Sequence, residues 1–331
     1  MIIKTPSRLH MCLIDMSGAY GRIDGGIGLT IDQPNFIIKG EESDTKDIKV
    51  DFCEDIDEEI KPECKEKIVT SADRIRKYYG IDEGFNFEVE KACLPHSGLG
   101  SGTQTALATG KLITEMKGIH EDSVQLASVV GRGGTSGIGT FSFDYGGFIV
   151  DGGHSLKEKE SFLPSSASNV RPPQLLGHYD FPEDWDILVT IPTNTEHING
   201  KKEVNIFQAN CPINKSEVEQ MSHIIFMNLI PFMLEHNIYE FGSCIDQIQC
   251  RGFKKVEVSL QPPKFLNLMK YMRDNGAYGV GMSSFGPAIY TIFDKENKDI
   301  VKATADYLNE EEGDTYFVCK AQNFGHQIIE K

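Results

Sequence analysis

Apolar residues recur at strand-like spacing in three N-terminal runs, IIKTPSRLHMCLIDM, GIGLTID and NFIIKG, with the polar turn SGAYGRIDGG between the first two. The pattern then lengthens to a helical period. In IKPECKEKIVTSADRIRKYYG, Ile68, Ala72, Ile75 and Tyr79 fall along one face. FNFEVEKACLP alternates and predicts a strand. TQTALATGKLITEMKG predicts a helix ending at Gly118, EDSVQLASVVG a second helix, and TFSFDYGGFIVDGG a return to strand and turn. Residues 161–184 are rich in Ser and Pro and read as a loop or linker. Beyond it, WDILVTIP predicts a buried strand, followed by helical runs in SEVEQMSHIIFMNLIPFMLEHN, FGSCIDQIQCRG and FLNLMKYMRDNG, the first interrupted at Pro231. A glycine-rich GAYGVGMSSFGP, the strand AIYTIF, the helix KDIVKATADYLNEE and the strand DTYFVCKA complete the chain. The pattern predicts an α+β protein of two domains, 1–170 and 171–331.

Composition narrows the function classes. At 40% hydrophobic and 25% charged over 331 residues, the chain has the make-up of a soluble globular protein. It contains no apolar run near the ~20 residues that cross a bilayer. The first residues lack a secretory signal's apolar core, so a cytoplasmic location is expected. None of the eight cysteines forms a CxxC pair, which leaves a zinc or dithiol motif unsupported. The formal charge of −16 disfavours nonspecific nucleic-acid binding. An anionic protein that takes an anionic substrate must gather positive field in one cleft, so arginines and helix starts beside glycine motifs carry the information.

LPHSGLGSGTQTALATG, Leu94 to Gly110, is such a place. Glycines let backbone N–H groups approach an anion, and the helix behind them adds unpaired N–H groups and the positive end of its dipole. Gly98, Gly100 and Gly102 would supply the backbone, Ser101 and Thr103 the hydroxyls. A plain helix start behind a flexible turn is the alternative. Neither GxxxxGK[ST] nor GxGxxG is present.

LPHSGLGSGTQTALA resembles the second motif of the GHMP kinase superfamily, PSRLHMCLIDMSGAYGRIDGGIGLTI the first and GVGMSSFGPAIY the third. Together with RGGTSGIG and GGFIVDGGHS, these motifs resemble one branch, the β-ribofuranosylaminobenzene 5′-phosphate synthases of methanopterin biosynthesis. The resemblance implies an N-terminal domain like ribosomal protein S5 domain 2 and a ferredoxin-like C-terminal domain. It also departs from the kinases: only His96 and Ser97 separate Pro95 from GLG, and Gly102 stands for a second serine. Many of those kinases place an aspartate after an SG pair to deprotonate an alcohol. Here TSGIGTFSF offers Gly139 or Thr140, and Asp144 lies further on.

The branch resemblance implies a reaction without that base. Phosphoribosyl diphosphate is joined to 4-aminobenzoate or 4-hydroxybenzoate through a C–C bond, with loss of CO2 and diphosphate. A GHMP-type kinase is the alternative. By resemblance, GLGSGT with Mg2+ would cradle the diphosphate, with Ser101 and Asp24 as metal candidates. Arg8, Arg22 and Arg132 are candidates for the donor's other phosphate. Asp24 and Asp151 would bind metal or ribose hydroxyls, or cap glycine turns. His10 and His154 would position or protonate substrate, so Arg8, His10, Asp24 and His154 form the catalytic set. Ser136, Ser283, Ser284 and Gly286 are further substrate candidates, Phe285 is a stacking surface for the aromatic acceptor, and a homodimer is the family expectation.

Overall fold

A computed structural model describes residues 1–165, 167–193, 200–309 and 314–329. In chain order the N-terminal elements are β1 (Ile2–Asp15), β2 (Arg22–Ser43), β3 (Ile48–Phe52), α1 (Lys61–Tyr79), β4 (Gly84–Lys91), α2 (Ser101–Met116), α3 (Ser123–Val130), α4 (Ile138–Asp144), β5 (Phe148–Asp151), β6 (His154–Ser155) and β7 (Leu175–Tyr179). The C-terminal elements are β8 (Asp186–Ile191), α5 (Gly200–Asn210), α6 (Lys215–Ile224), a π turn (Ile225–Leu229), α7 (Ile230–Leu234), α8 (Ile238–Gln249), α9 (Gly252–Ser259), α10 (Pro263–Asp274), β9 (Val280–Met282), β10 (Ile289–Phe293), α11 (Asp299–Leu308), β11 (Thr315–Cys319) and β12 (Gln327–Ile329).

The first sheet runs β12-β1-β2-β4-β3, with β5 and β6 also pairing β2 and β7 pairing β5. Only β3–β4 is parallel. The second and third N-terminal runs are one 22-residue strand, β2, long enough to serve several neighbours along its length. Helices α1 and α2 cover one face, burying Ile68, Ala72, Ile75, Leu107, Leu112 and Ile113 against Phe85 and Phe87. Each of these Ile, Leu and Phe side chains contributes about 1.5–3 kcal/mol through burial.

The second sheet runs β11-β8-β10-β9, all antiparallel. Its strands stand fourth, first, third and second in chain order, the ferredoxin-like arrangement. The fold is thus α+β, with the two expected architectures. Sheet membership does not follow the expected line at 170/171, because β7 and β12 both lie beyond it and pair into the first sheet. A continuous core also crosses between the layers: Leu9, Ile27 and Leu29 belong to the same buried cluster as Trp185, Val189, Phe241 and Tyr290.

Two local expectations are corrected. TFSF, expected as strand, is the body of α4, where Thr140 and Phe143 are fully buried while Phe141 faces the turn before it. An alternating pattern buried on all sides fits either period, so the tertiary surroundings decide. The interruption at Pro231 falls just upstream of it. Proline supplies no N–H to the carbonyl four residues back, and the preceding turn widens until Ile230 N–H donates to Ile225 O.

Candidate functional site

A cavity of about 360 Å³ opens where the two layers meet, walled by β1, α1, the turn before α2, the 132–139 loop, α5, α9 and the 284–287 loop. The glycine turn forms its floor. Gly98 and Gly100 both have φ of +84°, a left-handed backbone that glycine adopts without strain. Gly100 precedes α2 with no side-chain cap. Thr103 N–H turns back to Gly100 O, and the N–H groups of Ser101 and Gly102 have no partner among the described residues. A Cβ on Gly98 would meet Ser283 O at 2.7 Å, so the turn touches the second layer directly. Ser283 fastens that contact: its Oγ donates to Gly98 O (2.7 Å) and accepts from His10 N–H (2.9 Å). Ser284 N–H donates to His10 O at 2.8 Å.

Two guanidinium groups overlook this floor. Arg8 donates to Gly98 O, and a Cβ on Gly100 would lie 3.1 Å from its guanidinium. Arg132 donates through Nε and Nη2 to Thr103 Oγ1 at 3.2 and 3.1 Å. Burial, then the charge of Arg132, lowers the Arg8 pKa to about 10, and burial is also the main pull on Arg132. Neither arginine makes an ion pair among the described residues. Glu203 and Glu63 act on Arg132 only from beyond ion-pair distance, and two close cations with no paired carboxylate are an arrangement that an anion relieves. Lys67 stands beside them: a Cβ on Gly102 would come within 3.1 Å of its Nζ. Lys67 pairs with Glu63, whose other oxygen meets His96 Nε2 at 3.1 Å.

His10, Ser136 and Asp151 form a chain leading away from the cavity. His10 Nε2 lies 3.1 Å from Ser136 Oγ, which donates to Asp151 Oδ2 at 3.1 Å. Gly137 and Gly153 N–H groups also donate to this carboxylate. Burial nevertheless pushes the Asp151 pKa up to about 7, while burial, then Arg8 and Lys254, lowers that of His10 well below its ordinary value. The chain can therefore carry a proton between a near-neutral carboxyl and a neutral imidazole through one hydroxyl. The shift in β1–β2 register between His10 and Cys12 aims His10 at this path.

Asp24 and His154 are elsewhere. Asp24 is fully buried, and its Oδ2 takes His154 Nδ1 at 2.7 Å and Lys159 Nζ at 2.8 Å. His154 Nε2 bonds Arg171 O, and Lys159 also donates to Thr135 Oγ1 and Leu163 O. This is a buried structural ion-pair set, outside the walls of the cavity. Arg22 is likewise absent from the cavity: its Nη2 donates to Gly152 O and Gly153 O at 2.9 Å, clasping an outer turn. Asp144 accepts from Ser123 N–H and Oγ at the start of α3.

Residue-level sequence reading missed part of the lining: Glu63, Lys67, Phe207, Glu257 and Gln261. Their spacing held a weak signal, since Glu63/Lys67 and Lys254/Glu257 are four and three residues apart on their helices. Such pairs ordinarily mark solvated faces, and Lys254 and Glu257 are instead 0% and 2% exposed.

The chain matches the model for the GHMP kinases N terminal domain over residues 66–147 and for GHMP kinases C terminal over 229–310. It is 46% identical over 308 residues to the beta-ribofuranosylphenol 5′-phosphate synthase of Methanothermobacter thermautotrophicus, covering 93% of both chains. It is 42% identical over 342 residues to the protein of that name from Methanocaldococcus jannaschii, covering 99% of this chain and 100% of the relative. The chain belongs to the β-ribofuranosylphenol 5′-phosphate synthase family. A solved structure of homoserine kinase from Cytophaga hutchinsonii shares the fold at a TM-score of 0.66 and 16% identity, covering 99% of this chain and 97% of that one. The synthase family therefore shares its frame with small-molecule kinases. In this member, Gly139, one of the two positions where a kinase's base was sought, packs against Thr103, and the other, Thr140, is fully buried. No described helix is long and apolar enough to cross a membrane.

Proposed function

We propose that this chain joins phosphoribosyl diphosphate to 4-hydroxybenzoate, releasing CO2 and diphosphate and forming β-ribofuranosylphenol 5′-phosphate for methanopterin. The observation that carries the reading is the pair of facing guanidinium groups of Arg8 and Arg132 over the 98–103 turn, neither of them in an ion pair among the described residues. A departing diphosphate is the ligand such a floor favours, because its charge grows as the C1–O bond breaks. The relatives' name, which specifies a phenol, supports the hydroxybenzoate over the aminobenzoate.

Arg8, Arg132, Lys67 and the first N–H groups of α2 would bind the diphosphate. Ser136 and His10, on the adjacent wall, would hold ribose hydroxyls, and the interlayer position of the cavity would limit the approach of water to C1. Among the described residues no group of three His, Cys, Asp or Glu could chelate a metal. That suits Mg2+, which takes few protein oxygens when a diphosphate supplies the others. Ser101 and Glu63, which line the same wall, would complete its shell; Asp24, buried outside the cavity walls, would not. The ion would neutralise charge on the leaving group.

The test is incubation of the purified chain with phosphoribosyl diphosphate, Mg2+ and carboxyl-labelled 4-hydroxybenzoate. Labelled CO2 and diphosphate should appear in equal amounts. Their absence, with ATP consumed in the presence of a metabolite alcohol such as homoserine, would overturn the reading.

A further inference from the structure

The cavity has a second end of opposite character. It is walled by Leu13, Phe207 and Phe285, and the two phenylalanines pack with Phe253 and with each other at ring-centroid distances of 4.6 to 6.4 Å. One carboxylate, Glu257 of α9, lines this apolar end at 2% exposure. Its Oε2 meets Nζ of Lys254, one helical turn back and its single charged partner, and its Oε1 accepts no hydrogen bond among the described residues. The remaining donors nearby are committed elsewhere. Lys254 Nζ donates to Met282 O at 3.2 Å and Ser284 O at 3.1 Å, and Gln261 Nε2 donates to the carbonyls of Glu257 and Phe285. Facing α9, β1 brings Cys12, its thiol pushed up to about 12, and His10, its imidazole held neutral; Asp151 lies beyond Cys12 and is held by Ser136, Gly137 and Gly153. A buried carboxylate with unused acceptor capacity, set in an aromatic slot, is matched by an aromatic ring that carries a hydroxyl.

We propose that Glu257 is the general base that takes the proton of the acceptor's para hydroxyl as the opposite ring carbon attacks C1 of the ribose. The inference rests on the synthase reading above. In the step, the ring carbon bearing the carboxylate bonds to C1 while the C1–O bond to diphosphate breaks. The positive charge this puts on the ring is delocalised to the carbon para to the new bond, the one that bears the hydroxyl. The O–H electron pair neutralises it, giving a cyclohexadienone, and the proton goes to Glu257. The bond to the carboxylate then breaks, its electron pair restores the ring, CO2 leaves, and Glu257 returns the proton to the phenolate oxygen. Burial, which raises the pKa of Glu257, suits a group that must hold a proton between the two halves of the reaction. The two ends of the cavity thus divide the labour: cations for the leaving group, one base for the nucleophile.

The test compares the unmodified enzyme with Glu257→Gln on 4-hydroxybenzoate and on 3,5-difluoro-4-hydroxybenzoate, whose more acidic phenol ionises without help. The expected result is a fall in kcat of about 10²–10⁴-fold on the first substrate, with KM for phosphoribosyl diphosphate changed less than about threefold. On the second substrate the deficit should shrink to below about tenfold. An equal deficit on both, or none, would overturn the proposal, because a structural role affects both acceptors alike. A second measurement needs no variant: 4-methoxybenzoate keeps the donor oxygen and lacks the proton. The unmodified enzyme should bind it as a competitive inhibitor and turn it over at least about a hundredfold more slowly; turnover within tenfold would overturn the proposal. Failure of the unmodified enzyme to release diphosphate with any benzoate sinks the synthase reading itself, whereas release with Glu257→Gln unimpaired sinks this step alone.

Discussion

At the scale of single residues, motif position and side-chain direction part company. Arg8, Arg22 and Arg132 are equivalent when read as motif arginines, yet two face the glycine turn and the third clasps Gly152 and Gly153 outside. Function should divide the same way. Charge-assisted hydrogen bonds are worth about 1.5–3 kcal/mol, so Arg132→Ala should raise KM for phosphoribosyl diphosphate at least about tenfold. Arg22→Ala should leave it within about twofold. Steady-state kinetics with the donor varied separates them, and a large KM effect for Arg22→Ala would contradict the placement of that side chain. The same division explains Asp24 and His154. Each belongs to a family-like motif, and each is committed to a buried set with Lys159. Sequence could name these residue types but not their partners, which lie as far as 135 positions away along the chain.

At the scale of elements, the 98–103 turn and α2 are the best-read feature, because glycine content and helix start are local properties. Its docking onto the 283–287 loop is not local. Gly98 and Gly118 illustrate the difference. Both have positive φ, but a Cβ on Gly98 would press on Ser283 O at 2.7 Å, whereas nothing lies within 4 Å at Gly118. Left-handed strain alone costs roughly 1–2 kcal/mol, and overpacking adds roughly 1–3. Gly118→Ala should therefore lower stability by about 1–2 kcal/mol and spare activity, and Gly98→Ala by about 2–5 with loss of donor binding. Urea unfolding of both variants checks this; equal costs would show that the two loops do not press together. Helix α9 is the converse case. Its Lys254 and Glu257 read from sequence as an ordinary exposed pair, and only packing against the 282–285 segment turns them inward.

At the scale of the molecule, one shared core holds two layers around a cavity whose charge is concentrated where the protein as a whole is anionic. Buried ionisable groups make this arrangement pH-dependent. Asp151 has its pKa raised from an ordinary 3.8 to about 7 in the folded state. Its unfolded form loses a proton first, so its contribution to stability is greatest below about pH 4 and falls as pH rises toward 7. Over that window Asp151 should cost roughly 2–4 kcal/mol. Asp151→Asn should flatten the decline, seen as a Tm that changes less between pH 4 and 7 than that of the unmodified chain; an undiminished decline would assign it to other groups. The sequence by itself determined the strands and helices with clear periods, the glycine turn before α2, and the family motifs with Arg8, His10, Arg132 and Ser136 among them. Those signals are carried by neighbours within one turn or one strand pair. Tertiary structure alone decided that Asp24 and His154 are sealed away, that Lys67 and Glu257 enter the cavity, and that β7 and β12 complete the first sheet. Each of these depends on which distant segment a side chain or strand edge meets, and hydrophobic period specifies that a face is buried without specifying what covers it.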